Sequence, residues 1–173
     1  MKRKILITRK LLQENENKLK EIFDAKLNNQ DEIYSADKIV ELSKDCEGIL
    51  CAVTDQFNKD LIDRLSPSVK IIANFAVGYG NIDLDAARQR NIVVTNTPEV
   101  LDDSTADISI LLLLGASRKV LEARRAAELQ NWKWSADFML GKQMSNKRLG
   151  ILGMGRIGRA VAKRARGFNM EIH

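Results

Sequence analysis

Arg148-Leu149-Gly150-Ile151-Leu152-Gly153-Met154-Gly155-Arg156-Ile157-Gly158 is the stretch on which the reading of this chain turns. Arg148 to Leu152 has the character of a strand, and Arg159 to Phe168 is expected to form a helix. Three glycines spaced Gly-x-Gly-x-x-Gly therefore fall in the turn between them. Each has a task at such a turn: Gly153 permits the tight bend, Gly155 lets a pyrophosphate approach the backbone, and Gly158 lets the helix pack closely on the strand. Free N–H groups at the helix start would then face the anion. The bland reading is a glycine-rich turn without a ligand, but a strand before it and a helix after it favour dinucleotide binding.

Working outward, four short apolar runs precede this turn: Ile5-Leu6-Ile7, Ile49 to Val53, Ile71 to Val77 and Ile92-Val93-Val94. They alternate with polar, helix-like segments, the pattern of an α/β protein with a parallel sheet covered on both faces. Leu19, Ile22 and Phe23 give Glu16 to Ala25 helical spacing, and Leu61, Ile62 and Leu65 do the same for Asn58 to Leu65. Asp83 is placed to cap a third helix. Proline pushes its predecessor out of the helical region, so Asn96-Thr97-Pro98 marks a crossing between two domains, 1–98 and 99–173. Asp102 to Leu129 then reads as one long helix, apolar on nearly every face from Ile108 to Leu114 and so expected to be buried all round. A weakly patterned connection, Asn131 to Asn146, carries Trp132 and Trp134.

A second candidate site is Ala76-Val77-Gly78-Tyr79-Gly80-Asn81, at the edge where open α/β sheets bind ligands. Consecutive amides there could hold a carboxylate, or the segment is simply a turn that needs Gly78 and Gly80 for unusual backbone angles. Thr105 and Asp107 read as capping residues at the start of the long helix. Asp102-Asp103 shows no spacing suited to paired acid and base chemistry.

Composition bounds the function. The chain has 173 residues, 45% of them apolar, enough to bury a core. Cys46 and Cys51, its only cysteines, are expected to be buried thiols, and no metal site is expected. Few cysteines and no basic-then-apolar leader point to the cytoplasm. The apolar stretch Ile108 to Ala116 is far short of the roughly 20 residues that span a bilayer. The net charge of +5 comes from scattered lysines and arginines, so no nucleic-acid partner is expected.

Taken together, Ile72 to Asp83, Val94-Thr95-Asn96-Thr97-Pro98, Thr105-Ala106-Asp107, the two tryptophans and Gly153 to Gly158 occur in an order that resembles the D-isomer-specific 2-hydroxyacid dehydrogenases, and most of all the glyoxylate and hydroxypyruvate reductases among them. The similarity runs from Ile5 to Ile172. It implies a flavodoxin-like parallel-sheet substrate domain, formed by roughly the first hundred residues plus the C-terminus, and a Rossmann domain of which 99–173 is the start. It also implies NAD or NADP as cofactor, a small 2-oxoacid as substrate and a homodimer assembled through the Rossmann domain. By this likeness the Val77 and Gly78 amides meet the substrate carboxylate, Thr105 lies near the nicotinamide, and Gly155, Arg156 and Ile157 meet the pyrophosphate. Gly80 departs from the pattern, since relatives usually carry aspartate there.

The family's substrate-binding arginine and its catalytic histidine and glutamate are expected downstream of His173, which is itself placed unlike the catalytic histidine. The chain alone is therefore expected to be inactive. The residue that chooses NAD or NADP is expected about 20 residues beyond the glycine motif, past the end of the chain. Two alternatives stand beside the enzyme: a dinucleotide-sensing corepressor and a non-catalytic remnant.

Overall fold

A computed structural model describes residues 1–130 and 132–173. Asn131, the expected start of the connection, lies outside the described residues. The chain divides into two compact units, Met1–Pro98 and Glu99–His173.

The first unit is an α/β layer with five parallel strands, β1 (Lys4–Ile7), β2 (Asp24–Lys26), β3 (Gly48–Ala52), β4 (Ile71–Phe75) and β5 (Val93–Thr95), in the order β2-β1-β3-β4-β5. This is the flavodoxin-like order, with the direction of winding reversing between β1 and β3. Its helices are α1 (Gln13–Ile22), α2 (Ala36–Leu42), α3 (Lys59–Arg64) and α4 (Leu84–Gln89).

Side chains alternate across a strand, and here the register lines up Leu6, Ile49, Ile72 and Val94 in one row across four strands. That row faces Ile39 of α2, Leu61 and Ile62 of α3, and Ala86 and Ala87 of α4, with Phe57 fully enclosed among them. Burying an aliphatic side chain of this size stabilises by about 1.5–3 kcal/mol, so this row anchors the unit. Three of these helices start where side chains satisfy their first amides: Ser35 accepts from the Lys38 amide, Asn58 from that of Leu61, and Asp83 from that of Ala86 at 2.9 Å, the cap expected for it, whereas Leu12 before α1 offers no side-chain cap.

The opposite face differs from expectation. Leu19 and Phe23 border an apolar groove with Ile5, Leu50, Ile71 and Ala73, while Phe75 and Val93 stay exposed. Both faces were expected to be covered, but among the described residues of the first unit α1 is the one helix bordering this side, so the cover that the unit itself provides is partial. The pattern also gave no sign of β2 or α2. The first is a three-residue strand of Asp, Ala and Lys, and the second is a seven-residue helix in which Ile39 alone is fully buried.

The second unit contains α5 (Asp102–Ser117), α6 (Val120–Leu129), α7 (Arg156–Ala165) and two parallel strands, β6 (Arg148–Leu149) and β7 (Glu171–Ile172). The single helix expected over 102–129 is two, because Lys119 adopts a left-handed conformation with φ of 53°. Its apolar centre is not buried all round either. Ala106 is buried, while Ile108, Leu111 and Leu112 are more than half exposed. The physical reason is coverage: within the unit, α7 is the helix packed along α5, and it can cover only one stripe.

Arg164 on α7 reinforces that packing by pairing with both Asp103 and Asp107. Asp107 therefore has an ion-pair role rather than a capping one, and the residue preceding α5, Leu101, offers no side-chain cap. Trp132 stacks on Phe138 with ring centroids 6.0 Å apart, and both tryptophans are exposed rather than laid over a core.

Candidate functional site

In the first unit the site is the loop Ala76 to Asn81 after β4. Neither Gly78 nor Gly80 has the left-handed backbone expected of it, and a Cβ on either would meet nothing within 4 Å. The turn does not demand glycine at these positions, and the space above them is open. Three successive carbonyls are tied down. Ala76 accepts from the Thr97 amide at 2.9 Å, Val77 from the Asn96 side chain at 2.8 Å, and Gly78 from the Asn74 side chain at 2.9 Å. A trans peptide is planar, with its N–H opposite its C=O. Fixing those carbonyls therefore turns the Val77, Gly78 and Tyr79 N–H groups the other way, and among the described residues these amides have no protein acceptor.

Beneath the loop lies a buried polar cluster that the sequence reading did not single out. Asn74 also donates to Asn81 Oδ1 at 3.0 Å, and Asn81 donates to the carbonyls of Ala52 and Asp55 at 3.2 and 2.9 Å. The Asp55 carboxylate accepts from the Thr8 hydroxyl at 2.6 Å and from the Ala52 amide. The loops after β1, β3 and β4 are thus joined at the winding reversal. The available signal was Asn74 itself, a polar residue inside an apolar run, which must find partners if buried. Beside it, Cys51 donates weakly to Asn74 Oδ1; burial, aided by the nearby Asp55 charge, pushes its thiol up to about 12. Burial likewise raises Cys46.

In the second unit the glycine turn lies between a strand and a helix as its spacing predicts, with both boundaries shifted: β6 ends at Leu149, so Gly150 to Leu152, expected in the strand, lie outside it. Gly153 is left-handed at φ of 98°, and Gly155 is the extended N-cap of α7, so the helix begins at Arg156 rather than Arg159. The first helical bond of the turn is Arg159 N–H to Gly155 C=O, which leaves the amides of Arg156, Ile157 and Gly158 without helical partners at the positive end of the helix dipole. A Cβ on Gly155 would meet nothing within 4 Å, so the backbone can be approached there. These features suit a pyrophosphate. The Arg156 guanidinium pairs with Asp102 at 3.2 Å and Glu99 at 3.8 Å. Thr105 sits half-buried in the first turn of α5 and its carbonyl accepts from Ser109. His173, exposed, pairs with Glu171 and closes the β6–β7 ladder through its backbone.

A parallel sheet in flavodoxin order, a clamped amide loop at its carboxyl edge and a Gly-x-Gly-x-x-Gly turn opening a helix define an α/β protein with two loops suited to anions. The D-isomer specific 2-hydroxyacid dehydrogenase catalytic-domain family matches residues 5–166, and the chain belongs to that family. It is 41% identical over 174 residues to a glyoxylate reductase of Korarchaeum cryptofilum (strain OPF8), covering 99% of this chain and 52% of that one. A structure from Polaromonas sp. JS6 66, assigned to the NAD-binding D-isomer specific 2-hydroxyacid dehydrogenases, superposes with a TM-score of 0.89 at 38% identity, covering 100% of this chain and 55% of that one. The NADPH-dependent glyoxylate/hydroxypyruvate reductase of Sinorhizobium meliloti, solved with NADP and malonate, gives a TM-score of 0.80 at 30% identity, covering 99% of this chain and 52% of that one. The chain spans about half the length of the curated relatives it matches. No helix among the described residues is long and apolar enough to cross a membrane.

Proposed function

We propose that this chain supplies the first half of an NAD(P)-dependent oxidoreductase that interconverts a small 2-oxoacid, glyoxylate or hydroxypyruvate, with its 2-hydroxyacid. The observation that carries the reading is the coexistence of an amide loop suited to a carboxylate with a helix-opening glycine turn suited to a pyrophosphate. In this reading residues 1–98 are the substrate domain and 99–173 begin the cofactor domain. The Val77 and Gly78 amides hold the substrate carboxylate. Gly153, Gly155 and Gly158 shape the turn, while the Arg156 and Ile157 amides meet the pyrophosphate and Thr105 lies toward the nicotinamide. When bound, the nicotinamide supplies or accepts the hydride.

The residue that would protonate the carbonyl oxygen is proposed to lie outside residues 1–173, so this chain alone does not turn over. The exposed apolar surface of α5, with Trp132 and Trp134 beyond α6, is proposed as the surface through which two copies pair. The test is glyoxylate-dependent oxidation of NADH or NADPH by the full-length gene product and by its Gly155→Val variant. Activity in the first and its loss in the second support the proposal; activity in both removes the glycine turn from the account.

A further inference from the structure

The carbonyl clamps divide into two kinds. Those on Ala76 and Val77 come from Thr97 and Asn96, beyond the end of β5, whereas the clamp on Gly78 comes from Asn74, a side chain on β4 itself. Asn74 is 2% exposed and spends every polar atom locally: its amide nitrogen donates to Gly78 C=O and Asn81 Oδ1, and its oxygen accepts from Cys51 and Asn81. A buried amide so fully bonded has one orientation, because turning it over would set acceptor against acceptor at the Gly78 carbonyl and donor against donor at the Asn81 amide nitrogen. Asn81, 8% exposed, is fixed in turn by the carbonyls of Ala52 and Asp55. The Gly78 carbonyl is therefore held inward by a rigid group, and planarity of the Gly78–Tyr79 peptide turns the Tyr79 N–H outward.

We propose that Asn74 is a positioning residue for the carboxylate, and that through the Gly78 carbonyl it adds the Tyr79 amide as a third backbone donor beside those of Val77 and Gly78. The proposal rests on the carboxylate reading of this loop. Glycine at 78 gives the peptide little stiffness of its own, so the side-chain clamp supplies what the backbone lacks. A loop held before the ligand arrives loses less freedom on binding, and that difference appears as affinity.

The experiment is a titration of the 15N-labelled chain with glycolate, following the amide resonances of Val77, Gly78 and Tyr79, in the wild type and in Asn74→Asp. Aspartate keeps the shape and the acceptors while removing both donors. The expected result is saturable shifts at all three amides in the wild type, and in the variant a loss of the Tyr79 shift with affinity weaker by about tenfold or more, while Ala86 and Ala87 stay at their wild-type positions. No shift in the wild-type loop overturns the carboxylate reading itself. Equal affinity with the Tyr79 shift retained in the variant overturns the role of Asn74 alone. Should Asn74→Asp not fold, the wild-type side-chain amide protons of Asn74 decide: slower hydrogen exchange on saturation with glycolate supports the clamp, and unchanged exchange overturns it.

Discussion

A Cβ on Gly158 would lie 2.2 Å from the carbonyl oxygen of Gly153, whereas one on Gly155 would meet nothing within 4 Å. The glycines of one motif therefore do different work. Gly158 is required by the fold, since the obstacle is backbone and cannot swing aside. Gly158→Ala is expected to destabilise the chain by about 1–3 kcal/mol, the range for overpacking a tight contact. Urea unfolding followed by circular dichroism checks this, and an unchanged midpoint would mean that the turn is looser than described.

Gly155→Val is expected to leave folding intact and to weaken NADH or NADPH binding by at least about tenfold, roughly 1.4 kcal/mol, because its side chain would fill the approach to the Arg156 and Ile157 amides. Fluorescence titration of the full-length product measures it. A folded variant with wild-type affinity would show that the dinucleotide does not sit on this turn.

Much of this arrangement was legible in the sequence because glycine spacing and apolar alternation report local constraints. The four runs became β1, β3, β4 and β5, and the Asp83 cap formed. Where the reading went astray, the deciding information was tertiary. Nothing local in Ile108 to Leu114 says that α7 covers only one stripe of α5. Gly78 and Gly80 suggested unusual backbone angles, yet neither has them. Asn74 and Asn81 gave no sign of meeting each other, since their partnership depends on the peptide path between them and on the loop after β3.

Phe57, fully buried between β3 and α3, also bridges to Ile82: its N–H donates to the Asn81 carbonyl and its carbonyl accepts from the Asp83 amide. Phe57→Ala is expected to cost about 3–5 kcal/mol of stability, as for other large-to-small core changes. It is also expected to broaden the loop amide resonances, because the backbone bonds to Asn81 and Asp83 remain but lose the packed ring that holds them in place.

Asp31 is held by the Arg9 guanidinium and by the Lys10 amide, and these bonds lower its pKa from 3.8 to about 2. A carboxylate lowered on folding stabilises the native state above its unfolded pKa and ceases to do so as pH falls through its folded one. The stability difference between the wild type and Asp31→Asn should therefore be full above about pH 5, shrink progressively as pH falls, and vanish only below about pH 2. Unfolding midpoints measured across that interval check it; a difference independent of pH would exclude the ion pair as its source.

Both thiols are buried and raised above their ordinary values. Since the thiolate is the reactive form, neither Cys46 nor Cys51 should react with a disulfide reagent at neutral pH in the native state, and both should react in denaturant. Rapid native labelling of Cys51 would show that the cluster around Asn74 opens readily.

The most direct test of the central claim is the loss of nicotinamide absorbance when NADH or NADPH is mixed with glyoxylate and either the full-length gene product or residues 1–173 alone. The account predicts steady oxidation by the former, abolished by Gly155→Val, and none by the latter. Turnover by residues 1–173 in a preparation free of contaminating reductase, or no turnover by the full-length protein with either cofactor and either glyoxylate or hydroxypyruvate, would contradict it.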